Sequence, residues 1–370
     1  MTIILLIINS LYFIFNLVLI FTWLKIVRGK LINPTEKDTK LTIVVPVRNE
    51  SANIVKLLED FNQQNYPSEN FEVIVANDGS TDNTADLVLI FQETAKFSLR
   101  LLNIFEEKGS SPKKRAIQKS IEIAAGELII TTDGDCRVSD KWLSSIQRFY
   151  KSTGAKFISS PVTFMDENNF WNTAQIIEFA SLIGSGACAM YLRKPNMCNG
   201  ANIAYPKEAF AIVGGFAGNE HLASGDDEFL MHKIFEKYPE SVLFNANIDS
   251  IVKTESQPDI KHFYQQRKRW ASKWKHYDNW QISALAIFIF MVNFGAIITY
   301  FYIPSIIGLE LLLLKFGVEF VFLSLIISYL GYFKKIFFIP IIQIFYPLYV
   351  VFFGLISQGK DYEWKGRKLK

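Results

Sequence analysis

Two kinds of hydrophobic pattern divide the chain. Residues 3–24 carry no charged side chain, and a helix needs about 20 apolar residues to cross the hydrocarbon core of a bilayer. A second apolar zone, 282–357, is interrupted by Glu310, Lys315, Glu319, Lys334 and Lys335. It predicts stretches near 282–303, 305–332 and 336–357, the last made irregular by Pro340 and Pro347. Lys315 and Glu319 stand at the spacing of a pair on one helical face. Between 41 and about 165 the period changes. Short runs rich in Val, Ile and Leu at 41–47, 71–76, 99–104 and 128–132 predict buried strands. Ile54, Leu57, Leu58 and Phe61, after the cap candidate Ser51, keep helical spacing, as do Ala116, Ile117, Ile121 and Ala124. Strand-helix alternation predicts an α/β domain with a mostly parallel, Rossmann-like sheet, whose ligands sit at the carboxyl ends of the strands.

Composition supports a mixed chain. Hydrophobic residues make up 50% of the 370 positions, with 32 Phe, yet 20% are charged, and the mean hydropathy is +0.17. This excludes a disordered chain and reads as a polar domain joined to membrane segments. Three cysteines, Cys136, Cys188 and Cys198, with no C-x-x-C pair, exclude a disulfide-stapled domain and argue against structural zinc. A net charge of +3 gives no case for nucleic acid. The first cations, Lys25, Arg28 and Lys30, follow the first apolar run and no A-x-A site does, so the run predicts an anchor rather than a cleaved signal peptide. By the positive-inside tendency the segment after residue 25 is then cytoplasmic, where reduced cysteines are at home. Lys360, Lys365, Arg367, Lys368 and Lys370 predict a cytoplasmic tail as well. Three full C-terminal crossings would put that tail outside, so two to three helices are expected, one of them incomplete.

The predicted strands end in polar clusters. Pro46, Arg48, Asn49 and Glu50 follow the first, Asn77-Asp78-Gly79-Ser80-Thr81-Asp82 the second, and Asp133-Gly134-Asp135 the fourth. Singly, each reads equally as a turn, with Asp82 capping a helix. Together they gather acids on one sheet edge, where repulsion asks for a divalent cation beside a phosphorylated ligand.

With these motifs the chain resembles the membrane-associated glycosyltransferases of family 2, which have the nucleotide-sugar-binding fold called GT-A. The likeness covers 41 to about 280. Val44-Val45-Pro46-Val47-Arg48-Asn49-Glu50 and Asn77 to Asp82 resemble the first two strand motifs, and Asp133-Gly134-Asp135 the D-x-D pair. Ser224-Gly225-Asp226-Asp227-Glu228-Phe229-Leu230 resembles the acidic motif carrying the base, and Gln266-Arg267-Lys268-Arg269-Trp270 fits Q-x-x-R-W. The resemblance implies an inverting, metal-dependent transfer from a UDP-sugar to a lipid or glycolipid acceptor at the membrane, with the catalytic domain on the cytoplasmic side of a bacterial-type inner membrane. It implies that Pro46, Arg48, Glu50, Asp78, Lys113, Asp133, Gln266 and Arg269 bind the nucleotide-sugar, with Lys114 and Arg115 beside Lys113. Asp133 and Asp135 would hold Mg or Mn, and Asp227 would be the base, with Asp226 standing where relatives often have Glu. Asn199, Gly200, Ala201 and Trp270 would meet the acceptor, and His221 would face the same cleft or be structural.

The implied layout is an anchor at 1–30, a GT-A domain at 41–255, an interfacial segment at 256–281, transmembrane helices at 282–357 and a basic tail at 358–370. Residues 170–192 form a core helix or lie in the membrane surface, with Arg193 and Lys194 meeting lipid phosphates. Trp270, Trp274 and Trp280 among Arg267, Lys268, Arg269, Lys273 and Lys275 have an interfacial composition. Glu363-Trp364-Lys365-Gly366-Arg367 resembles a tail found in relatives. The competing readings are a processive polysaccharide synthase, a membrane-bound nucleotidyl- or phosphotransferase, which would not require Q-x-x-R-W, and a transporter or scaffold with a degenerate domain, which would have eroded acids.

Overall fold

A computed structural model describes residues 2–29, 39–104, 111–220, 222, 225–272, 280–302, 306–356, 362–364 and 367–369. In chain order the elements begin with α1 (Thr2–Arg28), β1 (Leu41–Val47), α2 (Ile54–Asn62), β2 (Phe71–Asn77), α3 (Thr84–Gln92) and β3 (Ser98–Asn103). They continue with α4 (Pro112–Ile123), β4 (Leu128–Thr131), α5 (Trp142–Thr153), β5 (Phe157–Ser159), β6 (Val162–Phe164) and α6 (Phe170–Tyr191). Next come β7 (Ile203–Pro206), α7 (Lys207–Ile212), α8 (Asp226–Lys237), β8 (Val242–Phe244) and β9 (Val252–Thr254). The last helices are α9 (Ile260–Ser272), α10 (Trp280–Tyr302), α11 (Ile306–Tyr329) and α12 (Ile339–Ile356). The chain forms two compact units, one of residues 26–165 and 189–255, the other of 1–25, 166–188 and 256–370.

The first unit is built on a seven-stranded sheet of order β3-β2-β1-β4-β7-β5-β8. β1, β2, β3 and β4 are parallel, β7 is antiparallel to both β4 and β5, and β8 is parallel to β5. The four strands read from the sequence are all present within a residue of their expected ends. Alternation sends Val44, Ile74 and Ile129 to a face packed by Ile117 and Ile121 of α4 and by Leu230, Met231 and Ile234 of α8. Each such side chain buried stabilises by roughly 1.5–3 kcal/mol. α2 buries Ile54, Leu57, Leu58 and Phe61, as its spacing predicts, and Phe61 stacks on Trp142 of α5 at 6.0 Å between centroids. Ser51 does not cap it: Asn53 holds the N-cap position, and the Ser51 N–H donates to Asp82 at 3.1 Å.

The reversed direction of β7 matters most for function. Because β7 runs against β4, its first residue, Ile203, pairs with the last of β4, Thr131. The loop before β7, Asn199 to Asn202, therefore lies at the same sheet edge as the carboxyl ends of β1, β2 and β4.

The second unit is helical and apolar. α1, α6, α10, α11 and the segment Phe333–Ile356 are each long and apolar enough to cross a membrane. α12 contains Pro347 and follows a 3₁₀ turn, Phe333–Phe338, so the last stretch is the irregular one. α6 belongs with the apolar helices through Cys188. Lys315 and Glu319 pair at 2.6 Å as their spacing implies, and the pair is buried. Glu319 also accepts from Tyr12 of α1 at 2.6 Å and from Gln343 of α12 at 3.2 Å. In the tail Tyr362–Trp364 pairs antiparallel with Arg367–Leu369; Lys360, Lys365, Gly366 and Lys370 lie outside the described residues.

Candidate active site

The loops after β1 and β2 are laced together. Asn49, at φ 54°, accepts from the Thr81 N–H at 2.8 Å and donates its own N–H to Ser80 at 3.0 Å. The Glu50 N–H donates to Thr84 at 2.8 Å, and Asp82 accepts from the N–H groups of Ser51 and Thr84, both at 3.1 Å. Burial alone pushes the Asp82 carboxyl up, but the bonds from Thr84 and Ser51 outweigh it and bring it to about 2. A depressed pKa stabilises the fold fully above the unfolded value of about 3.9 and loses that contribution as pH falls towards 2. Melting temperatures of the wild type and Asp82→Asn should therefore differ at pH 6 and converge near pH 2. A gap that stays constant with pH would contradict the assignment.

Asp78 follows the end of β2 and is buried. Arg115 donates to its Oδ1 at 3.0 Å, and Arg48 donates to the Asp78 and Gly79 carbonyls at 2.7 and 3.0 Å. Pro46 is half-buried and in register with Ala76. Glu50 packs against Gly134, where a Cβ would come within 3.0 Å of its Cγ and 2.9 Å of Val47. A glycine is thus required between Asp133 and Asp135 for the loop to lie against β1.

Lys113 brings the other acids together. Its Nζ donates to Asp133 Oδ1 at 2.8 Å and stands 3.6 Å from Asp226 Oδ2. Burial works to lower its pKa, but the charges of Asp133 and Asp226 prevail and hold it above the ordinary lysine value. Three cations in the first turn of α4 oppose the helix dipole. Each has an acceptor to offset that: Asp133 for Lys113, the Asn219 carbonyl at 2.6 Å for Lys114, and Asp78 for Arg115. The repulsion among acids expected from the sequence is thus relieved in part by the chain's own Lys113 and Arg115.

α8 begins at Asp226, entered through Gly225 at φ 82°, where a Cβ would also strike the Phe229 ring at 2.5 Å. Its first turn carries Asp226, Asp227 and Glu228, the sign the helix dipole favours. Asp227 is buried and accepts from the Gly200 N–H at 2.8 Å and from the Glu228 N–H at 2.8 Å. The Gly200 carbonyl accepts from Thr131 at 2.7 Å, and Asn199 accepts from the Ala201 N–H at 3.0 Å. A Cβ on Gly200 would approach Asp226 Oδ2 to 3.2 Å and Lys113 Nζ to 3.4 Å. Small size there keeps the loop against both acids. His221 and Ser224 lie outside the described residues.

Asp133 and Asp135 offer hard carboxylate oxygens with one residue between them, and Lys113 shows that this corner holds positive charge. Among the described residues no three His, Cys, Asp or Glu side chains gather into a cage. Such a donor set suits Mg or Mn, which bind through one or two carboxylates and complete their shell with phosphate and water.

Gln266, Arg269 and Trp270 belong to α9 in the helical unit. Between them Arg267, unremarked in the sequence beyond its charge, is buried and pairs with Glu178 through two nitrogens, one at 3.0 Å. Its guanidinium lies 4.4 Å from the Phe263 ring and 4.3 Å from the Trp270 ring, and Tyr349 also donates to Glu178 at 2.7 Å. One face of the Trp270 indole is therefore covered by Arg267. Gln266 accepts from Arg267, and Arg269 is half-buried. Arg193 pairs with Glu240 at 2.7 Å. Lys273, Trp274 and Lys275 lie outside the described residues.

Residues 42–216 match the family model described as glycosyl transferase family 2. Glycosyltransferase AglE of Haloferax volcanii is 28% identical over 187 residues, covering 50% of this chain and 58% of that protein. The beta-monoglucosyldiacylglycerol synthase of a Nostoc species is 26% identical over 234 residues, 62% of this chain and 48% of that protein. The chain thus spans about half the length of these curated relatives. The mannosyltransferase PcManGT of Pyrobaculum calidifontis, solved with GDP-Man and Mn2+, superposes with a TM-score of 0.60 at 17% identity over 94% of this chain and 99% of that one. The sheet unit has the GT-A fold.

Proposed function

We propose, for a chain whose residues 42–216 form a family 2 glycosyl transferase domain, an inverting transfer of a sugar from a UDP-sugar to a lipid acceptor at a membrane. The observation that carries this reading is the meeting of D-x-D, Lys113, Gly200 and the Asp226-Asp227 pair at one sheet edge. This supports a reading in which one set of carboxylates serves the donor diphosphate and the neighbouring set the acceptor hydroxyl. Among the described residues, five helices long and apolar enough to span a bilayer support the membrane part, and a relative named for diacylglycerol glucosylation supports a lipid acceptor.

In this reading the acceptor hydroxyl oxygen bonds to the anomeric carbon as the bond to the diphosphate breaks on the opposite face, which inverts configuration. Asp227, oriented by the Gly200 N–H, takes the hydroxyl proton. Lys113 faces the departing diphosphate as a fixed cation, and Asp78 meets a donor N–H of the base, with Pro46, Arg48 and Glu50 around it. Asp133 and Asp135 would hold Mg or Mn, which when bound supplies further positive charge to the leaving group. Asn199, Gly200 and Ala201 would line the acceptor side.

Calorimetry on the full chain in detergent tests the donor side. UDP should bind only with Mg or Mn present, and Asp135→Asn should weaken it roughly a hundredfold. UDP binding without metal would overturn the metal assignment, and a preference for GDP would move the donor to a guanosine diphosphate sugar.

A further inference from the structure

The D-x-D loop is fastened at both ends, and the second fastening lies outside every motif. On the strand side, the Thr132 N–H donates to the Val44 carbonyl at 3.2 Å, and Gly134 is wedged against Val47 and Glu50. Across the turn, the Cys136 N–H donates to the Asp133 carbonyl at 3.1 Å. On the far side, Arg137 reaches α2. Its Nε and Nη2 donate to the two oxygens of Asp60 at 2.6 and 2.7 Å, and the Val138 N–H adds a bond to Asp60 Oδ2 at 3.1 Å. The Arg137 backbone is also bridged to Lys253, with N–H to carbonyl distances of 2.7 and 3.0 Å in the two directions.

A bidentate guanidinium pair fixes orientation in a plane as well as position, which an ammonium cannot do. Asp60 is nearly buried and its helix is anchored in the core by Phe61 on Trp142, so the clamp is fixed to a rigid support. Groups that hold metal ligands in place typically change metal affinity about 10–100-fold when they are removed. We infer that Asp60 and Arg137 are positioning residues for the metal-diphosphate site, holding Asp133 and Asp135 in register by clamping the loop that follows them. This rests on the metal reading of D-x-D given above.

The test is Mn2+ uptake by the full chain in detergent, followed by loss of the free Mn2+ electron-spin signal, with UDP and separately with GDP at saturation. Asp60→Asn and Arg137→Met should each weaken Mn2+ binding about tenfold, the double variant should be no worse than either single, and Arg137→Lys should recover only part. Arg100→Met, which breaks the ion pair with Glu72 elsewhere on the sheet, should lower the melting temperature and leave Mn2+ affinity unchanged. Wild-type affinity in Asp60→Asn and Arg137→Lys would overturn the inference, as would an equal loss in Arg100→Met. A wild type that takes up no Mn2+ with either nucleotide would remove the metal reading and the clamp together.

Discussion

Asp227→Asn should lower sugar transfer by about 10²–10⁴-fold, the usual cost of losing a positioned base, while UDP affinity stays within about twofold because the proton moves only in the transition state. The substitution keeps the bond that positions the loop: the amide oxygen still accepts the Gly200 N–H that Asp227 accepts at 2.8 Å, while the amide nitrogen replaces the oxygen that accepts from the Glu228 N–H, so the proton acceptor is lost. Single-turnover transfer to a lipid acceptor, beside UDP titration of the same preparation, measures both quantities. Full activity in Asp227→Asn together with inactive Asp226→Asn would move the base to Asp226, whose carboxylate faces Lys113 at 3.6 Å.

The largest effect on stability is expected at Arg267. Removing one partner of a buried ion pair costs about 3–5 kcal/mol because the other charge is left unpaired in an apolar setting. Arg267→Ala leaves the Glu178 carboxylate with Tyr349 as its donor and uncovers the Phe263 and Trp270 rings. It should lower the melting temperature of the full chain sharply. Arg267→Ala combined with Glu178→Ala should be less destabilised than Arg267→Ala alone, since the orphaned charge goes with the second substitution. A double variant as unstable as the sum of both singles would mean that packing of the arginine stem, not its charge, holds α9.

What the sequence made legible was whatever is periodic or local. The strands ending at Val47, Asn77 and Thr131 were visible because β-branched runs ended in turn residues, and the acids at those ends because their spacing is short. Lys315 and Glu319 were legible as a pair because a helix brings residues four apart together. Ser51 carries the ordinary cap signal, a serine ahead of an apolar run, but its N–H serves Asp82 in another loop. Pairs made by folding left no local trace. Arg115 meets Asp78 across 37 positions and Arg137 meets Asp60 across 77. With those partners hidden, the sequence shows the acids without the cations that the fold brings to them.

The Tyr12–Glu319 bond joins residues 307 positions apart, and in the membrane reading that separation becomes a waiting time. At roughly 5–20 residues per second of synthesis, α1 leaves the ribosome about 15–60 s before the carboxylate its hydroxyl will meet. Its two buried amides are provided for in the interval: Asn9 and Asn16 donate to carbonyls one turn back in α1, at 2.9 Å each. In that reading the Tyr12 hydroxyl meets the Glu319 carboxylate only once α11 has been made, so docking of a late helix completes a contact that the first helix begins.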